Sequence, residues 1–311
     1  MTATSAPLPI GLNYRAFPGN WRPAHEEIAF ARARGFGSIQ FHGREAGLRE
    51  DDLGGTFAAI GADLCATALV PVMEIMVRVD PDGRTEAGRT PLDLLRANLP
   101  AINALGYACV HWHLVPNGGA ESEVWRTLER ALTPQLATGT ALGAAHRFRF
   151  GIEHNEPTVP LFPTPERYAA ALGAVPGLGF VWDMNHSAPE QRAGYLALTG
   201  WMTMLHVADT PLPATNHHSP LGLGTIDFAA TVRDLRARAF VGPAILEIGG
   251  LPLSGGYGRD TDEALIASRQ LLAEAMAVMR KQCDNTLLCA APTVVCRSRR
   301  RGVRSRAPGS S

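Results

Sequence analysis

Short apolar runs alternate with longer segments of helical spacing along most of this chain. Eight runs are predicted as strands: 10–13, 37–42, 69–73, 107–114, 148–153, 180–183, 201–206 and 244–247. The third of these strands is placed within the apolar stretch 64–77, and one helix is predicted at 53–60 before it. The other segments between strands carry apolar residues at intervals of three and four, which indicates amphipathic helices.

A strand followed by a helix, repeated eight times, predicts an α/β fold: a single-domain (β/α)8 TIM barrel spanning residues 1–282. Two helix starts support this pattern. Thr90-Pro91 and Thr164-Pro165 each place an N-cap hydroxyl before a proline at the first helical position. An open doubly wound sheet is the alternative, but no Gly-x-Gly-x-x-Gly or P-loop follows any predicted strand.

The last four predicted strands end in residue types that bind metals. These residues are Glu153, Asp183, His206 and Glu247. Because the carboxyl ends of barrel strands converge on one face, we expect the four side chains to meet in space. Oxygen and nitrogen ligands without a thiolate suit one divalent ion, which can be Mn²⁺, Mg²⁺, Co²⁺ or Zn²⁺.

Glu153 and Glu247 are also the candidate catalytic residues. A divalent ion at this site can bind adjacent substrate oxygens and polarise a carbonyl, which makes the proton on the neighbouring carbon acidic. One glutamate can abstract that proton, and the other can return it to the opposite face or to the adjacent carbon. Epimerisation and aldose–ketose isomerisation fit this arrangement equally.

The fourth predicted strand offers further candidates for substrate contact. His111 and His113 point to the same side of that strand, and Trp112 points to the other. If Trp112 faces the helices, both histidines face the barrel interior. There they can either pack against other core residues or contact the substrate, and the sequence does not decide between these roles. His113 and Trp112 are therefore candidate substrate-binding residues, and Gln40 and His42 on the second strand are weaker ones.

Composition excludes several classes of protein. No apolar run approaches the roughly 20 residues of a membrane helix, and the first residues lack the character of a signal peptide, so we expect a cytoplasmic protein without a membrane partner. Five cysteines do not suggest a disulfide framework, and Cys65 and Cys109 are expected to be small buried residues in strands. Lys281 is the only lysine and follows the last strand, which excludes Schiff-base chemistry in the barrel.

The formal charge of zero hides an asymmetry between the barrel and the C-terminal segment. Residues 283–311 contain six arginines and one aspartate, a net charge of +5, so residues 1–282 carry −5. An acidic barrel argues against nucleic acid as a partner. We interpret 283–311 as an Arg-rich disordered extension, or as out-of-frame sequence, in preference to a nucleic-acid-binding arm. Removing it should change neither activity nor partner binding.

The motifs of the second half resemble those of the sugar phosphate isomerase/epimerase family. The resemblance covers roughly residues 8–280 and is carried by Gly-Ile-Glu153, Trp182-Asp183-Met-Asn-His186, Leu-His206-Val-Ala-Asp209, His218-Ser-Pro-Leu-Gly222-Leu-Gly224-Thr-Ile-Asp227 and Leu-Glu247. The family consists of xylose-isomerase-like barrels and includes ketose 3-epimerases, inosose dehydratases and, more distantly, endonuclease IV. Its members commonly self-associate, so the resemblance is compatible with a homo-oligomer, but the residues themselves do not indicate an oligomeric state.

The resemblance implies roles for individual residues. The four strand-end residues would bind one metal ion, and the two glutamates among them would be the acid/base pair of a sugar or sugar phosphate isomerase or epimerase. His186 would contact a substrate hydroxyl. His218 stands four residues before Gly222, where ketose 3-epimerases usually carry an arginine that contacts the substrate. His218 is therefore a further candidate for substrate contact.

Three alternative functions stay open. An inosose-dehydratase-type lyase begins with the same proton abstraction and then expels water. An endonuclease IV-like phosphodiesterase is less well supported, because Asn216 replaces the aspartate of its Asp-x-His motif and Glu74 stands where a third-strand histidine is expected, although His111 or His113 could supply a ligand. The third alternative is a metal-binding barrel without catalytic activity.

Overall fold

The computed structural model describes residues 8–16, 19–249 and 260–289. Eight parallel strands form a closed barrel in which each strand pairs with its sequence neighbours and the last pairs with the first. They are β1 Ile10–Asn13, β2 Ser38–His42, β3 Val70–Val79, β4 Cys109–Pro116, β5 Arg149–Glu153, β6 Gly179–Asp183, β7 Met202–Val207 and β8 Ala244–Leu246. The (β/α)8 prediction is confirmed.

Helices connect the strands and surround the barrel. They are α1 Ala24–Ala33, α2 Glu50–Leu53, α3 Phe57–Thr67, α4 Pro91–Leu105, α5 Ser122–His146, α6 Pro165–Ala174, α7 Arg192–Ala197, α8 Phe228–Ala237 and α9 Asp262–Cys289. Both predicted proline starts are confirmed. The Thr90 hydroxyl accepts a hydrogen bond from the Asp93 amide, and the Thr164 hydroxyl accepts one from the Arg167 amide.

The prediction was wrong between the second and third strands. The expected helix at 53–60 is two helices, because Gly54 adopts a left-handed conformation with φ of 67° and ends α2. The stretch assigned to the third strand begins with the end of α3, so Cys65 is an exposed helical residue. Apolar content alone did not separate the end of a helix from the start of a strand. Cys109 is buried on β4, as expected.

The C-terminal helix α9 passes through the predicted boundary at residue 282 and ends at Cys289. Residues 290–311, the rest of the predicted extension, lie outside the described residues. In the part of the chain that the structure describes, no helix has the length and apolar character required to cross a membrane.

Strand register places the inward-facing polar residues of neighbouring strands at similar levels. Glu74 on β3 pairs with His111 on β4, His113 pairs with Glu153 on β5, and Asp183 pairs with His206 across β6 and β7. Below this level the interior is closed by a small apolar cluster: Val72, Cys109, Val181, Met204 and Ile245. The polar residues therefore lie above an apolar floor, toward the carboxyl ends of the strands.

Candidate metal centre

The structure brings together all four predicted ligands. Each of Glu153, Asp183, His206 and Glu247 offers one ligand atom, and these atoms all lie within 4.8 Å of one another. His206 Nδ1 lies 3.1 Å from Glu153 Oε1 and 3.0 Å from Glu247 Oε2. The strand-end pattern thus produces one compact cluster of three carboxylates and one imidazole.

The donor set of this cluster fits a divalent cation. Among the described residues, the buried atoms Glu153 Oε2 and Asp183 Oδ2 have no hydrogen-bond partner, although imidazole nitrogens of His111 and His186 lie 3.3 and 3.2 Å away. A buried carboxylate oxygen without a partner is costly unless a cation balances it. Burial would raise the pKa of Glu153, but the charges of His113 and His206 lower it well below its ordinary value, so the carboxylate stays ionised.

His186 and His218 lie directly beside the four ligands. With Asp183, which belongs to both groups, they form a second group whose ligand atoms lie within 4.8 Å of one another. His186 Nδ1 lies 3.2 Å from the carbonyl oxygen of His154, and His218 Nδ1 lies 2.8 Å from that of Glu247. Each ring therefore donates its Nδ1–H to the backbone, and His186 Nε2 lies 3.2 Å from Asp183 Oδ2.

His113 also reaches the cluster, but both of its ring nitrogens already have partners. Nε2 lies 3.2 Å from Asn155 Oδ1, and Nδ1 lies 3.3 Å from Glu74 Oε1 and 3.7 Å from Glu153 Oε2. Burial alone would lower the pKa of His113, but the charges of Glu153 and Glu74 outweigh it and raise that pKa to about 10. Both nitrogens of His113, a predicted substrate-binding residue, therefore contact protein groups.

Trp112 is not brought to the cluster. The alternation of β4 turns its indole to the face opposite His111 and His113, where it is fully buried and packs edge-to-face on Phe150 at 4.7 Å between ring centroids. The structure thus places Trp112 in the hydrophobic layer between barrel and helices. His111 instead points inward, with Nε2 at 3.3 Å from Glu153 Oε2.

Comparison with known proteins places the chain in a family. A family model described as a xylose isomerase-like TIM barrel matches residues 28–282. The chain belongs to this family. No curated protein matches the sequence.

Solved structures of low sequence identity share the xylose isomerase-like fold. An L-ribulose 3-epimerase superposes with a TM-score of 0.70 at 16% identity, covering 92% of this chain and 99% of its own. A probable 3-DHS dehydratase from Bacillus anthracis gives 0.62 at 16% identity, with 86% and 99% covered. The IOLI protein with a bound zinc atom gives 0.65 at 15% identity, with 86% and 98% covered. At such identities the likeness is one of fold.

Several motif residues that carry the family resemblance have structural tasks. The Asp183 carboxylate accepts the Asn185 amide at 2.7 Å, which shapes the turn leading to His186. The Asn185 side-chain oxygen in turn accepts the amides of His217 and His218, at 3.0 and 3.2 Å. This side chain therefore ties the loop that carries His218 to the end of β6.

The glycines of the second motif allow its loop to close on Asp209. The Asp209 carboxylate accepts backbone amides from Thr210, Gly222 and Ile226 at 2.9 to 3.2 Å. A Cβ atom at Gly224 would lie 2.3 Å from Asp209 Oδ1, a distance that packed atoms do not tolerate. Asp209 and Gly224 thus hold the loop in place. These structural contacts account for their presence in the motif without a role in catalysis.

The sequence prediction did not include all of the polar residues contributed by the first half of the barrel. Asn13 and Glu74 were not site candidates, and Gln40 was only a weak one, yet all three point inward among the ligands. A usable signal was present in β3: Glu74 is a lone carboxylate inside an apolar run, at a position whose neighbours alternate between core and interior. A buried charge in such a run requires partners inside the barrel.

Proposed function

We propose that this protein is a divalent-metal-dependent isomerase or epimerase of a sugar or sugar phosphate. The observation that carries the proposal is the placement of two carboxylates on either side of one imidazole. Glu153 and Glu247 approach His206 Nδ1 to 3.1 and 3.0 Å, and Asp183 completes the group. When bound there, a divalent ion would polarise a substrate carbonyl.

The two glutamates differ in a way that suits an acid/base pair. The side chain of Glu153 is fully buried, whereas 16% of the Glu247 side chain is exposed. One carboxylate would accept the proton from the carbon beside the carbonyl, and the C–H electron pair would move toward the carbonyl oxygen. Return of a proton to the opposite face gives an epimer, and return to the neighbouring carbon gives an isomer.

The substrate class rests on the family and on the neighbouring structures. Structures of similar fold include an L-ribulose 3-epimerase and a D-tagatose 3-epimerase-like protein, which favour a small carbohydrate as the substrate here. The dehydratase neighbour keeps a lyase as the second candidate, since that reaction begins with the same proton abstraction.

Two contacts weigh against a phosphodiesterase of the endonuclease IV type. Asn216, at the position of that family's aspartate, donates its side-chain amide to Glu156 at 2.9 Å. On β3 the inward position expected for a histidine holds Glu74, whose contacts are with His42, His113 and Gln40. At both positions the residue type differs from the one expected for such a phosphodiesterase, and the side chain contacts other protein side chains.

Hydrogen exchange tests the proposal directly. Mn²⁺-loaded protein would be incubated in deuterated water with ketohexoses, inososes and their phosphates, and the products analysed by NMR and mass spectrometry. We expect deuterium at the carbon beside the carbonyl of one substrate. A new epimer or ketose–aldose pair would assign the reaction, and loss of water would identify a lyase. Bound metal with no exchange on any compound would contradict the proposal and favour a non-catalytic barrel.

A further inference from the structure

Glu74 is a buried carboxylate that the proposed reaction does not use. It stands in the middle of the apolar strand β3 with 1% of its surface exposed. Three polar side chains face its two oxygens: Oε1 lies 3.3 Å from His113 Nδ1, and Oε2 lies 3.4 Å from His42 Nδ1 and 3.3 Å from Gln40 Nε2. A buried charge of this kind lowers stability unless polar partners compensate it, and these three contacts are its partners.

The contact with Gln40 determines which nitrogen of His206 faces the ligand cluster. An ionised carboxylate only accepts hydrogen bonds, so the amide nitrogen of Gln40 must face Glu74 and the amide oxygen must face the other way. That oxygen lies 2.9 Å from His206 Nε2, which must therefore carry the proton. A cation can bind His206 only when the ring is neutral, and the lone pair of that neutral ring is then on Nδ1, the atom that lies beside Glu153 and Glu247.

The same amide also reaches Glu247. Gln40 Nε2 lies 3.4 Å from Asn13 Oδ1, which turns the Asn13 amide nitrogen toward the cluster. Asn13 Nδ2 donates to Glu247 Oε1 at 3.2 Å, leaving Oε2 beside His206. The orientation of the Gln40 amide thus determines the orientation of two of the four proposed ligands, His206 and Glu247.

A second arm runs from Glu74 through His113 to Glu153. Asn155 donates its amide to the carbonyl oxygens of Leu114 and Leu161, both at 2.8 Å, so its oxygen must face His113 Nε2. With Nε2 held there, His113 Nδ1 is directed at Glu74, and Glu153 Oε2 lies 3.7 Å from the same nitrogen. Asn155 and Glu74 fix the ring from its two ends.

We propose that Glu74 is a positioning residue for the metal centre. It acts through Gln40 on His206 and Glu247, and through His113 on Glu153. Groups that orient metal ligands in this way set both the tautomer of a ligating histidine and the direction of a ligating carboxylate. The inference rests on the proposed metal centre, and it concerns ion affinity rather than the identity of the substrate.

The test is Mn²⁺ binding alone, measured by calorimetry on metal-free protein. Glu74→Gln keeps the side-chain volume but can present an amide nitrogen to Gln40, which turns the Gln40 amide and removes the acceptor for His206 Nε2. We expect Mn²⁺ affinity to fall by about 10-fold or more. The matched control is Glu27→Gln. Glu27 is equally buried and is paired with Arg15 at 2.8 Å in α1, so its loss should reduce stability and leave Mn²⁺ affinity unchanged.

A mutant cycle separates positioning from a general structural effect. In a Gln40→Ala/His113→Ala background both arms are absent, so Glu74→Gln should change Mn²⁺ affinity no further. A wild-type affinity in the single Glu74→Gln variant, or an undiminished loss in the double background, would overturn the inference. If Glu74→Gln does not fold, Glu74→Asp serves instead. Its carboxylate is one methylene shorter, and wild-type Mn²⁺ affinity in that variant would equally overturn the inference.

Failure of this inference and failure of the proposed reaction give different results. Tight Mn²⁺ binding that weakens in Glu74→Gln, without hydrogen exchange on any sugar, would leave the positioning role standing and reject the isomerase. Hydrogen exchange in the wild type together with unchanged Mn²⁺ affinity in Glu74→Gln would do the reverse. A wild-type protein that bound no divalent ion would overturn the inference together with the metal centre.

Discussion

The two halves of the barrel contribute different kinds of residue to the same cluster. β5 to β8 supply the proposed ligands at or just beyond their carboxyl ends, from Glu153 to Glu247. β1 to β4 supply groups that orient those ligands, among them Gln40, Glu74 and His113, which lie on the inward face of their strands. One half would hold an ion, and the other half fixes the geometry with which it does so.

On this proposal, the identity of the ligands is only part of what makes a metal centre. Three carboxylates crowded around one imidazole repel one another and can rotate away unless neighbouring donors hold them. In this barrel Gln40 on β2 reaches His206 on β7 across the interior, whereas Asn13 and His113 act from the strands next to those of Glu247 and Glu153. Variants in the two halves should therefore differ in catalysis, in stability and in Mn²⁺ affinity.

Replacing either glutamate of the second half should have the largest effect on catalysis. Glu153→Gln and Glu247→Gln keep the shape of the side chain but remove its capacity to accept a proton, so the rate of hydrogen exchange into substrate should fall by about 10²- to 10⁴-fold. The matched control is Glu190→Gln, a change at an exposed carboxylate, which should leave the rate unchanged. Equal rates in all three variants would remove the glutamates from the mechanism.

Trp112 distinguishes the two faces of a first-half strand. Trp112→Ala should lower the free energy of unfolding by about 3–5 kcal/mol, because it empties a fully buried site against Phe150. Urea denaturation would measure this loss, provided that unfolding is reversible. Mn²⁺ affinity of the folded variant should stay within about twofold of wild type. A selective loss of substrate binding in a stable Trp112 variant would instead restore its predicted role in substrate contact.

One histidine from each half should give the metal-free protein opposite pH responses. The pKa of His113 is raised from 6.5 to about 10, burial being outweighed by Glu153 and Glu74, so its contribution to stability is complete below pH 6.5 and is lost as the pH rises toward 10. Burial, with the charge of His186, lowers the pKa of His154 from 6.5 to about 4. The folded state then loses stability as the pH falls from 6.5 toward 4.

Urea midpoints measured against pH in the presence of a chelator would check both signs. His113→Gln should flatten the decline above pH 6.5, and His154→Gln should flatten the decline below it. Each variant serves as the control for the other. An unchanged decline above pH 6.5 in His113→Gln, together with a smaller loss of stability below pH 6.5, would show that the wild-type ring is held neutral, contrary to the charges that surround it.

Removal of residues 283–311 should have the smallest effect. In the side chains that the structure describes for α9, the last buried ones are Ala275 and Met276, well before this segment. We therefore expect hydrogen exchange and Mn²⁺ affinity to match those of the full chain. A loss of either in a folded truncated protein would give the C-terminal segment a role in the site.

Sequence prediction identified the site residues that end a strand more readily than those that lie inside one. Glu153, Asp183 and His206 were found because each ends an apolar run, and a closed parallel barrel brings such ends together. Gln40 and Glu74 lie inside their strands. A polar residue at such a position can face the barrel interior or the surrounding helices, and the sequence alone does not tell which. Trp112 was assigned to the site although its neighbours His111 and His113 point the other way, since periodicity does not tell which face of a strand is the interior.

The sequence by itself determined the order of strands and helices, the closed barrel and the four residues that converge at its mouth, because hydrophobic periodicity and strand ends are local properties of the chain. Only the tertiary structure decided that Asn155 holds His113 from one side and that Glu74 directs it from the other. Those contacts join residues 39 to 42 positions apart, and their geometry depends on strand register and on which atom of each side chain donates.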